Sequence, residues 1–310
     1  MNAAMMRFYF WIPMLACLLG GSLLAAEDSG EGTLDPSKRP KSWEEPASPL
    51  KIAGPLYFVG TKGLGVYLFT TSEGLILLNT GMPGSGPMIE ASIRKLGFKV
   101  EDIKILITGH AHTDHVGAMA YMKEATKAQL AVMEQDVPSM EDGGQSDFYY
   151  GKDWKIMGFP PVKVDRALRD GDTVKLGEVE LKARLTPGHT RGCTTWVTNI
   201  EEGGKTYNVV FADGTNFKEG YRLAGKPSYP GIAEDFAKSF ATLETLTPDI
   251  WVANHTAFFG FKAKSELAPK EGVAAWVDPK GYTKYVAKKK AAFNAELARQ
   301  LAEAKAAPAP

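Results

Sequence analysis

The chain has 310 residues, with 36 basic and 36 acidic side chains, 44% hydrophobic and 10% aromatic residues. That length fits one large domain or two small ones, and the apolar content is enough to bury a core. A formal charge of zero argues against a broad nucleic-acid surface, and two cysteines, Cys17 and Cys193, exclude a disulfide-rich scaffold. Residues 1–26 carry Arg7, an apolar run from Phe8 to Leu24, and Ala25-Ala26 ahead of Glu27-Asp28. This layout predicts a cleaved secretory signal peptide and a periplasmic protein. Met14-Leu15-Ala16-Cys17 weakly resembles a lipoprotein processing site, but apolar residues continue past Cys17. After cleavage only Cys193 remains, so no internal disulfide is expected. No later stretch approaches the roughly 18 apolar residues of a membrane-spanning helix.

Residues 27–50, rich in Glu, Pro, Ser and Lys, read as an extended N-terminal segment. Short apolar runs then predict strands over 56–59, 65–70 and 75–78, the last ending at Asn79. A helix follows over 83–96, with Met88, Ile89, Ile93 and Leu96 on one stripe. A buried strand over 103–108 leads into a His-rich loop, a helix over about 117–126 and a strand over 130–133. Strands are expected over 174–175, 179–185, 194–198 and 207–211, then a helix over 233–246 and a strand over 250–253. A final helix over 283–305 ends in a disordered tail, 306–310. Two halves of strands followed by helices predict an α/β fold of αββα type: two mixed sheets face to face, with helices on both outer sides.

His110-Ala111-His112-Thr113-Asp114-His115 follows the strand over 103–108. A loop leaving a strand end can send alternate side chains into one cleft. Imidazole and carboxylate are good zinc donors, and the loop has no thiolate, which argues against a structural cysteine site. His189 and His255 each follow another predicted strand, so all five histidines sit at or just past strand ends. His110 and His112 can share one metal, and Asp114 and His115 can turn toward a second. The glycine-rich stretch Gly60–Gly65 joins two strands with no helix start and reads as a turn rather than a phosphate loop. Met119 and Met122 read as core, Lys288-Lys289-Lys290 as a solvated face, and the stretch 143–159, with Phe148, Tyr149, Tyr150 and Trp154, as a lip over the cleft or as simple loop packing.

The His-rich loop resembles the signature of the metallo-β-lactamase superfamily, over nearly all of residues 50–300. Thr186-Pro187-Gly188-His189-Thr190 with Gly192, Gly220-Tyr221-Arg222-Leu223, Tyr229-Pro230, Asp235-Phe236 and Ser239-Phe240 resemble class B β-lactamases of subclass 3. The resemblance implies a metallo-β-lactamase domain over 51–305 and two zinc ions. His110, His112 and His189 match the ligands of the first, and Asp114, His115 and His255 those of the second. It implies a monomeric hydrolase whose metal-activated hydroxide opens the β-lactam ring, conferring antibiotic resistance, with Asp114 orienting the nucleophile. A small-molecule substrate is expected, with no nucleic-acid partner and no membrane association after signal cleavage. Where family members commonly place serine, Gly214, Thr215 and Asn216 stand, so Thr215 and Asn216 are either the candidates for substrate binding or part of a plain turn. Asn79 replaces an aspartate that usually supports the metal loop. Lactone and thioester hydrolases of the superfamily are the alternative, because they place a metal-bridging aspartate where Asp213 stands. A one-residue change of register would turn Asp213 toward the metals; the Gly220–Phe240 match favours the register in which it is not a ligand.

Overall fold

The structure is a computed structural model describing residues 38–306. The expected signal peptide and the tail beyond Ala306 lie outside the described residues. Twelve strands form two sheets. The first holds β1 (Leu50–Ala53), β2 (Leu56–Phe58), β3 (Tyr67–Thr71), β4 (Gly74–Leu78), β5 (Ile103–Ile107), β6 (Gln129–Met133) and β7 (Arg166–Leu168), in chain order. It is antiparallel up to β4 and parallel from β4 to β7. The second holds β8 (Thr173–Leu176), β9 (Val179–Leu185), β10 (Thr194–Glu202), β11 (Lys205–Ala212) and β12 (Ile250–Ala253), ordered β12-β11-β10-β9-β8. Eight helices complete the described chain: α1 (Gly86–Lys95), α2 (Thr113–Val116), α3 (Met119–Thr126), α4 (Val137–Asp142), α5 (Trp154–Met157), α6 (Ile232–Glu244), α7 (Phe261–Glu271) and α8 (Pro279–Ala306).

The layering follows from side-chain alternation. In β4, Ile76 and Leu78 join the core shared with the second sheet, while Leu75 and Leu77 face the opposite way. A strand buried on both faces therefore reads as a continuous apolar run. On that opposite face Ile89 and Ile93 of α1, one helical turn apart, pack with Met119 and Met122 of α3. The second sheet is covered by α6 and α8, where Phe293 lies 5.3 Å from Phe236 and 5.6 Å from Phe240. The result is the expected αββα sandwich.

Among the departures from the sequence reading, two bear on the surroundings of the site. Residues 41–43 form a turn of 3-10 helix within what was expected to be an extended segment, and Trp43 is buried against Leu64 and Met82. The Gly60–Gly65 turn clasps this segment: the Gly63 N–H donates to the Ser42 carbonyl at 2.8 Å, and that of Lys62 to Glu45 at 2.8 Å. Lys289 is also not part of a purely solvated face. Its ammonium donates to Asn216 Oδ1 and lies 4.5 Å from the Phe258 ring centroid, while Lys290 pairs with Glu244 at 2.8 Å.

Candidate metal centre

β9, β11 and β12 share one direction, because β11 pairs parallel with β12 and β10 lies antiparallel between β9 and β11. Their carboxyl ends therefore lie along one edge and lead to His189, Asp213 and His255; β5 of the facing sheet leads to His110. Asn79, just past β4, secures the turn after β5. Its Oδ1 accepts from Thr108 Oγ1 and from the Gly109 N–H, each at 3.0 Å. A neutral amide thus fills the supporting role expected of a carboxylate. Gly109 has no room for a side chain, since a Cβ there would meet the Asp213 carboxylate and, at 2.8 Å, the Phe211 ring.

These elements bring together both predicted triads. His110, His112 and His189 form one group, and Asp114, His115 and His255 a second; within each group the candidate ligand atoms lie within 4.8 Å of one another. All six residues are buried. His112 Nδ1 is 3.1 Å from His189 Nε2, and Asp114 Oδ2 is 3.1 Å from His115 Nε2 and 3.6 Å from His255 Nε2. Tetrahedral zinc with ligands at about 2.0–2.1 Å requires neighbouring donors about 3.3 Å apart. The His112–His189 separation and the two from Asp114 fit that requirement.

Hydrogen bonds on the outer nitrogens fix which lone pairs face inward. The His110 Nδ1–H donates to Asp213 Oδ2 at 2.7 Å, leaving Nε2 buried without a protein partner. His189 donates from Nδ1 to the Asn216 carbonyl at 2.7 Å, and His112 from Nε2 to Asp147 Oδ2 at 3.3 Å. Each histidine of the first triad is therefore held with one unprotonated nitrogen toward its neighbours, as metal-ligating histidines require. The second triad is supported differently. Nδ1 of His115 and of His255 have no hydrogen-bond partner among the described residues, and the His255 ring rests against Trp43 at 5.4 Å.

Electrostatics support neutral imidazoles at His110, His189 and His255. Burial, and then the neighbouring His115 and His112, hold the His110 pKa well below the ordinary histidine value. Burial likewise lowers His189 and His255. Burial pushes the Asp114 carboxyl up, but His115 and His255 outweigh it and keep the group well below the usual carboxylate range. Asp114 is thus ionised, as a candidate metal ligand should be. A third cluster, His110, Cys193 and Asp213, is a poorer one. Burial and the Asp213 charge push the Cys193 thiol well up, and His110 uses Nδ1 on Asp213. The thiol stays protonated and is a weak metal donor.

A family profile described as "Metallo-beta-lactamase superfamily" matches residues 66–202. Native FEZ-1 metallo-β-lactamase from Legionella gormanii is 43% identical, with a TM-score of 0.80; the alignment covers 83% of this chain and 97% of that one. BJP-1, a subclass B3 metallo-β-lactamase of Bradyrhizobium japonicum, is 38% identical with a TM-score of 0.79, covering 85% of this chain and 98% of that one. This chain belongs to the metallo-β-lactamase superfamily. Among curated relatives, a hydroxyacylglutathione hydrolase of Nitrobacter hamburgensis is 30% identical over 156 residues, 50% of this chain and 49% of its own. The chain spans about half the length of the curated relatives it matches.

Within this superfamily fold, the residues expected to bind substrate have other partners. Thr215 is buried with Oγ1 2.6 Å from the Tyr285 hydroxyl, and the Asn216 side chain accepts from Lys289. Asn216 serves the centre through its carbonyl, which orients His189. Sequence reasoning missed Asp147, which reaches His112 from the stretch read as a lip; Tyr150, an aromatic of that same lip, places its ring 5.0 Å from the same histidine. It also missed Lys218, buried in the loop after β11, whose charge acts on His110, Asp114, His189 and His255. No motif spacing signals such contacts, because each partner comes from a different element.

Proposed function

We propose that this protein is a dizinc hydrolase that opens the β-lactam ring of antibiotics. The observation that carries the reading is the pair of triads at zinc-compatible spacing, on a fold shared with subclass B3 enzymes along nearly their whole length. His110, His112 and His189 would hold one ion, and Asp114, His115 and His255 the other. Zinc, when bound, supplies a Lewis acid that brings the pKa of water to about 7. The chain's own residues do the rest. Asp114 is the catalytic carboxylate: its Oδ2, beside His115 and His255, would help hold the second ion, and its other oxygen is left to accept from and orient the attacking nucleophile. Tyr150 and Tyr221, the latter donating to the His189 carbonyl at 2.7 Å, wall the first triad and limit water. Beside Thr215 and Asn216, a groove of about 420 Å³ is lined by Lys218, Lys289 and Arg299 against Glu219 and Glu296, a positive balance that favours an anionic substrate. The proposal includes export by the 1–26 leader, a catalytic domain over 51–305 acting as a monomer, and β-lactam resistance in the host.

Thioester or lactone hydrolysis is the second reading, favoured by the hydroxyacylglutathione hydrolases among the relatives. Against it stands the orientation of Asp213, whose Oδ2 is spent on the outer nitrogen of His110. The test is turnover of a cephalosporin, a carbapenem, an acyl lactone and a glutathione thioester by the purified zinc-loaded protein, with and without chelator. Chelator-sensitive lactam turnover supports the first reading, and thioester or lactone turnover alone transfers it to the second.

A further inference from the structure

We infer that Asp136 is a positioning residue for the three-histidine centre: one carboxylate sets the spacing between the loop carrying His110 and His112 and the loop carrying His189. Asp136 is buried at 3% exposure just ahead of α4, far in sequence from both loops. Its Oδ2 accepts from the Ala111 N–H at 3.0 Å and from the Thr190 hydroxyl at 2.8 Å; its Oδ1 accepts from the Gly192 N–H at 2.7 Å. Ala111 lies between two ligands of the triad, and Thr190 directly follows the third. The carboxylate therefore grips both loops within one residue of the groups that must stand 3.1 Å apart. Three donors, two of them backbone, suit an ionised acceptor-only group and nothing else of that size.

Two further observations separate this role from helix capping or packing. Asp136 occupies the N-cap position of α4, yet its side chain makes no capping hydrogen bond there. Gly192 is shaped to admit it: a Cβ on Gly192 would lie 2.6 Å from the Asp136 Cγ. The neighbouring Cys193 sulfur accepts from the Thr190 N–H at 3.3 Å and its S–H donates to Thr190 Oγ1 at 3.2 Å, so the second loop is fastened at the same point.

The inference rests on the ligand set proposed above, and its test reads out metal-free protein as well. Asp136→Asn keeps size but places an NH2 against at least one backbone N–H. Stepwise zinc titration with a competing chelator should show the first centre weakened about 10–100-fold, the range for lost supporting contacts. The Asp114 centre should keep its affinity within about threefold, and excess zinc should restore most turnover. In metal-free Asp136→Asn, amide exchange at Ala111 and Gly192 should quicken relative to the core of β5 and β10. Thr190→Val, which removes one of the three bonds, should shift both readouts the same way by less. Folded Asp136→Asn with unchanged affinity at both centres, or with both weakened alike, overturns the inference. If that variant does not fold, an unaltered Thr190→Val overturns it. Failure of the ligand set is separately visible, because His189→Ala would then retain two tightly bound zinc ions.

Discussion

Replacing Asp213 by asparagine separates the two functional readings. In the structure the carboxylate accepts one 2.7 Å hydrogen bond from His110 Nδ1 and another from the Gly214 N–H. A hydrogen bond to a charged group is worth about 1.5–3 kcal/mol, and about 1.4 kcal/mol corresponds to a factor of ten. Complete loss of the His110 contact therefore weakens the first centre about 10–100-fold. Asparagine of the same shape keeps a neutral acceptor, so Asp213→Asn should sit near the lower end, about tenfold in first-centre zinc affinity and similar in kcat/KM at limiting zinc. Both should recover as zinc is raised, and the Asp114 centre should hold its metal throughout. The assay is zinc per chain after dialysis at graded free zinc, paired with cephalosporin turnover. If Asp213 bridged the metals, the variant would lose affinity at both centres together and excess zinc would not restore turnover. That outcome would refute the orientation argued here.

Further outcomes follow from the same geometry. Lys218→Met should raise KM for carboxylate-bearing substrates several-fold; a KM unchanged at saturating zinc would contradict the electrostatic role. Trp43 is 1% exposed and packs on His255, so Trp43→Ala should cost about 3–5 kcal/mol of stability. It should also weaken the Asp114 centre more than the three-histidine centre, which a metal titration of the folded variant checks. Burial raises the Asp136 pKa from the ordinary aspartate value near 3.8 to about 6. The folded state then binds the proton more tightly, so this group's stability contribution is full below about pH 4 and is lost as pH rises through 6. The difference, about 3 kcal/mol, should vanish from the pH profile of metal-free Asp136→Asn; parallel denaturation profiles between pH 4 and 6 would sink it.

How much of this was legible in the sequence depends on whether the signal was local. β4 and β5 are apolar runs bounded by turn residues, and α1 and α6 carry buried stripes at helical spacing, so each could be read within a dozen residues. The cluster from His110 to His115 announced itself for the same reason. β1 and β7, with four and three residues, carry too few apolar positions to stand out, and α7 contains Pro269, which masks its helical pattern. Lys289 sits in a run of three lysines, and only the placement of α8 against the loop after β11 turns one of them onto Asn216. The supporting carboxylates Asp136, Asp147 and Asp213 touch loops between 25 and 103 positions away in the chain. Spacing cannot encode such contacts; they arise when strand ends from both sheets are brought to one edge.

The most direct test is a zinc-loaded crystal structure with anomalous scattering recorded across the zinc edge. Two peaks are predicted, one about 2.0–2.2 Å from His110 Nε2, His112 Nδ1 and His189 Nε2, the other equally close to Asp114 Oδ2, His115 Nε2 and His255 Nε2. A single peak, or an ion drawn onto the Asp213 carboxylate, would contradict the account.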